Sequence, residues 1–212
     1  MCSGRVDLKF ILRAFLNGQD GVLIGACRLN ECNYVTHGNY DALSNTYLFR
    51  KIMENIGLNP ERLRIEFMSG ADGNLLAEVT NDFVKKVKAI GPLGKGEGMD
   101  EKSLKFKLEA VGNLIPYIKL VERERLRVPV KSEETYHEFF NGDEIDRLFD
   151  ELIGDKLAIS QILLLLRERP LSTGNISEML GLNPSEVSRH VNSSSRHGLV
   201  RYDENRKCFA LA

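Results

Sequence analysis

The segment Gly21-Val-Leu-Ile-Gly-Ala-Cys27 carries no charge. It lies between the helix stop Asn17-Gly18 and a polar loop that reaches Asn39. A short unbroken apolar run of this kind suits a strand covered on both faces, because a half-exposed strand would alternate apolar with polar residues. Helical stripes flank it. Leu8, Ile11, Leu12 and Phe15 precede it at helical spacing, and a helix from about Tyr40 to Ile56 follows, closed by Gly57 and Asn59-Pro60. Leu63 to Met68 reads as a second strand, Ser69 to Gly73 as a loop, and Leu76, Val79, Phe83, Val87 and Ile90 as one more stripe ended by Gly91-Pro92. Strands separated by a helix pair in parallel, since the crossover returns the chain in the same direction. The expected fold class is therefore α/β: an incomplete flavodoxin-like parallel sheet domain, followed by helices and a C-terminal winged helix-turn-helix domain. The sheet is incomplete because only two full strands are present, few for this architecture. Met1-Cys2 reads as the end of a strand whose body is missing.

The chain divides into an α/β domain over residues 1–92, a helical extension over 93–130, an acidic linker over 131–154 and a winged helix domain over 155–212. Glycines crowd residues 91–100, which predicts a flexible connector. Leu104, Leu108, Val111, Ile115 and Ile118 mark an amphipathic helix that Pro116 is expected to kink or divide. Residues 131–154 hold eight acidic side chains against two basic ones and are interrupted by Asn141-Gly142, hence their assignment as a linker.

A formal net charge of -1 over 212 residues gives no global pull toward nucleic acid or membrane. The longest purely aliphatic stretch, Ile162 to Leu166, falls far short of the roughly 20 apolar residues a bilayer span needs. Arg5, Asp7 and Lys9 interrupt any apolar leader. A cytoplasmic, reducing setting is expected, and there Cys2, Cys27, Cys32 and Cys208 read as metal ligands or free thiols rather than disulfides.

Loops at the carboxyl ends of parallel strands gather on one edge, where ligands bind. Cys2 ends the first strand remnant, Cys27 ends the next strand, Cys32 lies five residues further on, and the Ser69 to Gly73 loop shares that edge. Soft thiolates suit iron–sulfur clusters or zinc, and by spacing alone both remain open, zinc with His37 as fourth ligand. Idle or buried thiols are the bland alternative.

The stretches Met-Cys-Ser-Gly-Arg-Val-Asp7 and Asn17-Gly-Gln-Asp-Gly-Val-Leu-Ile-Gly-Ala-Cys-Arg-Leu-Asn-Glu-Cys-Asn-Tyr34, with His37-Gly-Asn-Tyr40 and Glu61-Arg-Leu-Arg-Ile-Glu-Phe67, resemble the delta (iron–sulfur) subunit of methyl-viologen-reducing hydrogenase. The resemblance implies a 2Fe-2S cluster, with Cys2, Cys27 and Cys32 matching the family's cysteines. It also implies electron transfer from a hydrogenase or other dehydrogenase to the flavin-containing, A-like subunit of a heterodisulfide reductase. Members of that family usually begin with a further strand and a Cys-x-x-Cys loop. Three of the four ligands of such a cluster are then expected here, in a natural product longer than this chain. One route is an upstream UGA codon read as selenocysteine. Backbone amides of Ser3-Gly4 and of residues 26–33 are candidate donors to the sulfurs. Arg5 and Asp7 are expected on the surface or at a helix cap.

At the other end, Leu171-Ser-Thr-Gly-Asn-Ile-Ser-Glu-Met-Leu-Gly-Leu-Asn-Pro-Ser-Glu-Val-Ser-Arg-His-Val191 and Arg196-His-Gly-Leu-Val-Arg-Tyr202 are similar to ArsR-type repressors. Ile176, Leu180, Val187, Val191 and Leu199 are core by spacing, and Thr173 is a candidate cap. Arg189, Asn192 and Arg196 share one exposed face of the third helix, where such domains read the major groove; Arg201 and Arg206-Lys207 are placed to touch phosphates. Eight basic residues against six acidic ones over 155–212 make only a slight excess. Docking within a protein complex is accordingly the preferred reading of this unit, with DNA as the alternative.

Overall fold

The structure, a computed structural model, describes residues 2–34 and 38–212. Strands β1 (Val22–Ala26) and β2 (Leu63–Phe67) pair in parallel, with Val22 opposite Leu63 and Ala26 opposite Phe67. Helix α1 (Leu8–Leu16) precedes β1, α2 (Asn39–Asn55) is the crossover, and α3 (Gly73–Ile90) follows β2. The Asp7 carboxylate starts α1 by accepting from Lys9 N at 2.9 Å, and all four residues of the predicted stripe, Leu8, Ile11, Leu12 and Phe15, are buried. Over the described residues the chain is thus a mostly helical α/β protein with one two-stranded parallel sheet and a separate two-stranded antiparallel hairpin.

Two segments differ from their compositional reading, and both are ordered by buried contacts. Residues 91–100 are a pinned turn rather than a flexible connector. The fully buried Arg62 guanidinium donates to Asp20 O, Gly91 O and Pro92 O. It also holds Glu97 through two bonds, at 2.6 and 3.0 Å. Residues 131–154 are largely helical. They form α5 (Glu133–Asn141), α6 (Asp143–Phe149) and a π turn (Asp150–Gly154) that runs directly into α7 (Asp155–Glu168). Their acidic side chains hide an apolar stripe: Tyr136, Phe140, Ile145, Phe149 and Ile153 lie in the same core cluster as Leu8, Leu48 and Ile118.

Helix α4 (Glu101–Arg125) is not divided at Pro116. The lost N–H would have bonded to the carbonyl of Gly112, the residue four back, and Gly112 faces α1, where a Cβ would stand 3.4 Å from the Leu12 side chain. Buried Ile115 and Ile118 hold both sides of the interruption in the core.

In the C-terminal unit, α7 is followed by two further helices and a hairpin. Helix α8 (Thr173–Leu180) starts at Ser172, whose hydroxyl accepts from Asn175 N, so Ser172 is the cap instead of Thr173. Helix α9 (Pro184–Arg196) starts with a reciprocal Asn183–Glu186 capping box. The hairpin β3 (Val200–Asp203) and β4 (Cys208–Leu211) closes the unit. Ile176, Val187 and Val191 are fully buried as expected, and Leu180 packs against them. Leu199 is 46% exposed. It follows Gly198, whose positive φ of 70° turns the chain out of helical phase, and Val200 takes the core position in its place. No helix of the described residues is long and apolar enough to cross a membrane.

Candidate metal centre

Parallel pairing puts the ends of β1 and β2 side by side, and Met68 N extends the ladder by donating to Ala26 O at 2.8 Å. Cys27 and Arg28 leave β1 at this rim, and Ser69–Asp72 leave β2 beside them. Arg28 donates to the Asp72 carboxylate at 2.7 Å, and the same carboxylate accepts from Ser69 N at 2.7 Å, joining the two loops. The Ser69 N–H first, and Arg28 second, hold the Asp72 carboxyl below its usual range.

The thiols reach this rim from three directions. Cys2 caps a 3₁₀ turn (Ser3–Arg5), its sulfur accepting from Gly4 N at 3.4 Å. Its Sγ lies 3.6 Å from Cys32 Sγ. Cys27, at the end of β1, is exposed, and all four cysteines are free thiols. At Cys32 the Tyr34 N–H holds the thiol below its usual range, helped by the Asn39 N–H and the Cys2 and Cys27 side chains and opposed by desolvation. An acidified thiol surrounded by donors is poised to act as a thiolate, the form that binds metal.

The backbone is shaped around this sulfur. A Cβ on Gly38 would stand 2.7 Å from Cys32 Sγ and 2.3 Å from Tyr34 O, and a Cβ on Gly4 would stand 2.4 Å from Gly38 O. Only glycine at both positions lets the Cys2 turn close onto the start of α2. Asn39, which is almost fully buried, donates to Cys27 O at 2.9 Å and Arg28 O at 2.8 Å, holding the β1 loop open over the helix. Tyr40 donates to Asn30 Oδ1 at 3.0 Å, at a residue with positive φ of 69°.

Two observations test whether these residues fit a thiolate-bound metal group. Two thiolates on one tetrahedral metal stand about 3.8 Å apart for metal–sulfur bonds of about 2.3 Å, close to the Cys2–Cys32 separation of 3.6 Å. Ser3 Oγ, next to Cys2, is buried with no hydrogen-bond partner among the described residues, and a buried hydroxyl without a partner points to a missing acceptor. The Cys2–Cys32 pair and the Ser3 hydroxyl fit such a group. Among the described residues, no three or more His, Cys, Asp or Glu side chains are gathered closely enough to hold a metal ion. His37, the zinc candidate, lies outside the described residues.

Asn39, Asp72 and Ser3 Oγ carried no periodic or spacing signal in the sequence; tertiary partners mark the first two, and burial without a partner among the described residues marks the third. Asp7 acts as the cap of α1 and pairs with Lys119. Cys208 is buried in β4 of the C-terminal unit, apart from this rim.

In that unit Arg189, Asn192 and Arg196 are exposed on α9, as expected. Arg189 is already engaged, both of its terminal nitrogens donating to Asp155 at the start of α7, at 2.9 and 3.3 Å. Asn192 and Arg196 remain as exposed polar groups on that helix.

Residues 1–91 match the sequence model of the family "Methyl-viologen-reducing hydrogenase, delta subunit", and residues 160–202 match that of "Bacterial regulatory protein, arsR family". The chain is similar to one component of the Ferredoxin/F(420)H(2)-dependent CoB-CoM heterodisulfide reductase of Methanosarcina acetivorans, with 44% identity over 94 residues, 44% of this chain and 12% of that protein. It is similar to the iron-sulfur subunit of the F420-non-reducing hydrogenase of Archaeoglobus profundus, with 44% identity over 91 residues, 43% of this chain and 66% of that protein. The vhu iron-sulfur subunit of the corresponding hydrogenase in Methanopyrus kandleri shares 32% identity over 92 residues, 43% of this chain and 69% of that protein. The matched segment thus spans about an eighth of the first of these relatives and about two thirds of the other two.

Proposed function

Because the chain belongs, through residues 1–91, to the methyl-viologen-reducing hydrogenase delta-subunit family, we propose that it is a non-catalytic electron-transfer subunit holding a 2Fe-2S cluster on Cys2, Cys27 and Cys32. In this reading it works in the cytoplasm and passes electrons from a hydrogenase or other dehydrogenase to a heterodisulfide-reductase-like flavin subunit. Its two-stranded unit is then part of a flavodoxin-like sheet. The observation that carries the reading is the 3.6 Å approach of Cys2 Sγ to Cys32 Sγ, two sulfurs 30 residues apart in sequence, at the rim where Cys27 emerges. Three thiolates are one short of the four such a cluster takes, so a donor beyond this set completes it.

A 2Fe-2S cluster supplies reversible one-electron transfer. The chain's own residues bind and tune. Tyr34 and Asn39 N–H groups keep Cys32 acidic, Asn39 fixes the Cys27 loop, and Ser3 Oγ is a hydroxyl available to a sulfur acceptor. No general acid or base is needed.

Anaerobic reconstitution of the full chain with ferrous iron and sulfide tests the proposal. Bound iron with visible charge-transfer absorption is expected, lost in Cys32→Ser and Cys2→Ser and kept in Cys208→Ser. Iron content unchanged by Cys2→Ser or Cys32→Ser would overturn it.

A second reading is favoured by the match of residues 160–202 to the arsR family: a redox-responsive DNA-binding regulator reading DNA through Arg189, Asn192 and Arg196. The Arg189–Asp155 pair weighs against it. Gel shifts with genomic fragments at several salt concentrations separate the two. Sequence-selective binding favours the regulator, and co-purification with a flavin–iron–sulfur partner favours the electron carrier.

A further inference from the structure

We propose that the slot between α4, α7 and the end of α9 binds a small anionic amphiphile, a carboxylate or sulfonate carried on an apolar body. The slot measures about 510 Å³, within the roughly 300–1,000 Å³ of small-molecule sites. Its floor is one stripe of α7, from Lys156 through Ile159 and Leu163 to Arg167, at helical spacing. Leu114 of α4 forms one wall and Leu199 the other.

Three polar side chains of the lining are already engaged with backbone carbonyls. Ser160 Oγ donates to Ala110 O at 3.0 Å, Ser194 Oγ donates to His190 O at 2.8 Å, and His197 Nδ1 contacts Ser193 O at 2.7 Å. What faces the slot is mostly hydrocarbon, including Leu199, which the loss of helical phase at Gly198 leaves 46% exposed. This explains why a leucine at a core-like spacing stays outside the core.

Charge identifies the occupant. Lys156 and Arg167 stand at the two ends of the stripe, about 16 Å apart along the helix at 1.5 Å per residue. No carboxylate lines the slot, and neither cation has an ion-pair partner among the described residues. An apolar trough with uncompensated cations selects an anion with a hydrophobic body. The neighbouring cleft of about 610 Å³, on the Arg189 side of α9, makes the contrast. There Asp150, Glu151, Asp155 and Glu186 face Lys107, Arg147 and Arg189, so its charges compensate one another.

The full chain is titrated with 8-anilinonaphthalene-1-sulfonate, followed by fluorescence and calorimetry. The bound probe is then competed with decanoate and with decanol, which has the same body without the charge. One saturable site is expected, with decanoate displacing the probe at least tenfold better than decanol. The pair Lys156→Glu and Arg167→Glu is expected to weaken decanoate at least tenfold with an unchanged circular-dichroism spectrum; should that variant not fold, Lys156→Ala with Arg167→Ala serves, with a several-fold loss. Equal competition by decanol, several equivalent probe sites, or unchanged decanoate affinity in the charge variants would each overturn the proposal.

Discussion

A thiol that receives backbone N–H groups gives up its proton more readily, and at this rim that thiol is Cys32. In the metal-free chain, iodoacetamide at neutral pH should label Cys32 well before Cys208, which is 8% exposed in β4; peptide mass mapping over time reads the order, and early Cys208 labelling would contradict it. Asn39 acts on the same loop by holding two carbonyls. Asn39→Ala leaves Cys27 O and Arg28 O without that donor and should cost about 1–3 kcal/mol in denaturant unfolding. Ser3→Ala separates a ligand-directed hydroxyl from a structural one. Ser3 Oγ has no partner to lose among the described residues, so the stability of the metal-free chain should hold or rise. A hydrogen bond to a cluster sulfur favours the reduced form, so the reconstituted variant should titrate at a more negative potential than the parent. An unchanged potential would remove Ser3 from the tuning set.

Among the elements, the glycine-rich turn after α3 shows how a buried charge orders a segment that composition marks as loose. Burial pushes the Glu97 carboxyl up. The Arg62 guanidinium and the N–H groups of Asn59 and Gly94 more than offset this and hold it below its usual 4.5. The depressed value means that the pair's stabilisation is present above the unfolded value and is lost as pH falls through the folded one. Glu97→Gln should therefore be less stable than the parent at pH 7, and thermal melts should show the gap narrowing below about pH 4. Arg62→Met strands a carboxylate at 9% side-chain exposure and should cost about 3–5 kcal/mol. A cost below about 1 kcal/mol would mean that the turn holds itself.

Across the whole molecule, α6, the π turn and α7 form one helical run that links the two matched segments. Leu157 of α7 belongs to the N-terminal core cluster, and Ser160 on the same helix donates to Ala110 O of α4. Leu157→Ala should cost about 2–5 kcal/mol and should lower hydrogen-exchange protection in α1 and α4 together with α8 and α9. A loss confined to one side would show that the two segments unfold independently.

Periodicity and end signals in the sequence placed α1, α2, β1 and β2 within a residue or two, because these elements depend on local spacing and on end signals such as Asn17-Gly18. The cysteine rim was readable as a topology, since parallel strands must end together. Three features became visible only in the tertiary structure: the closure of Cys2 onto Cys32 across Gly4 and Gly38, the helical order of residues 133–154, and the pinning of the glycine-rich turn by Arg62. Each depends on partners far away in the chain, and the burial of those groups outweighs the local preferences that composition records.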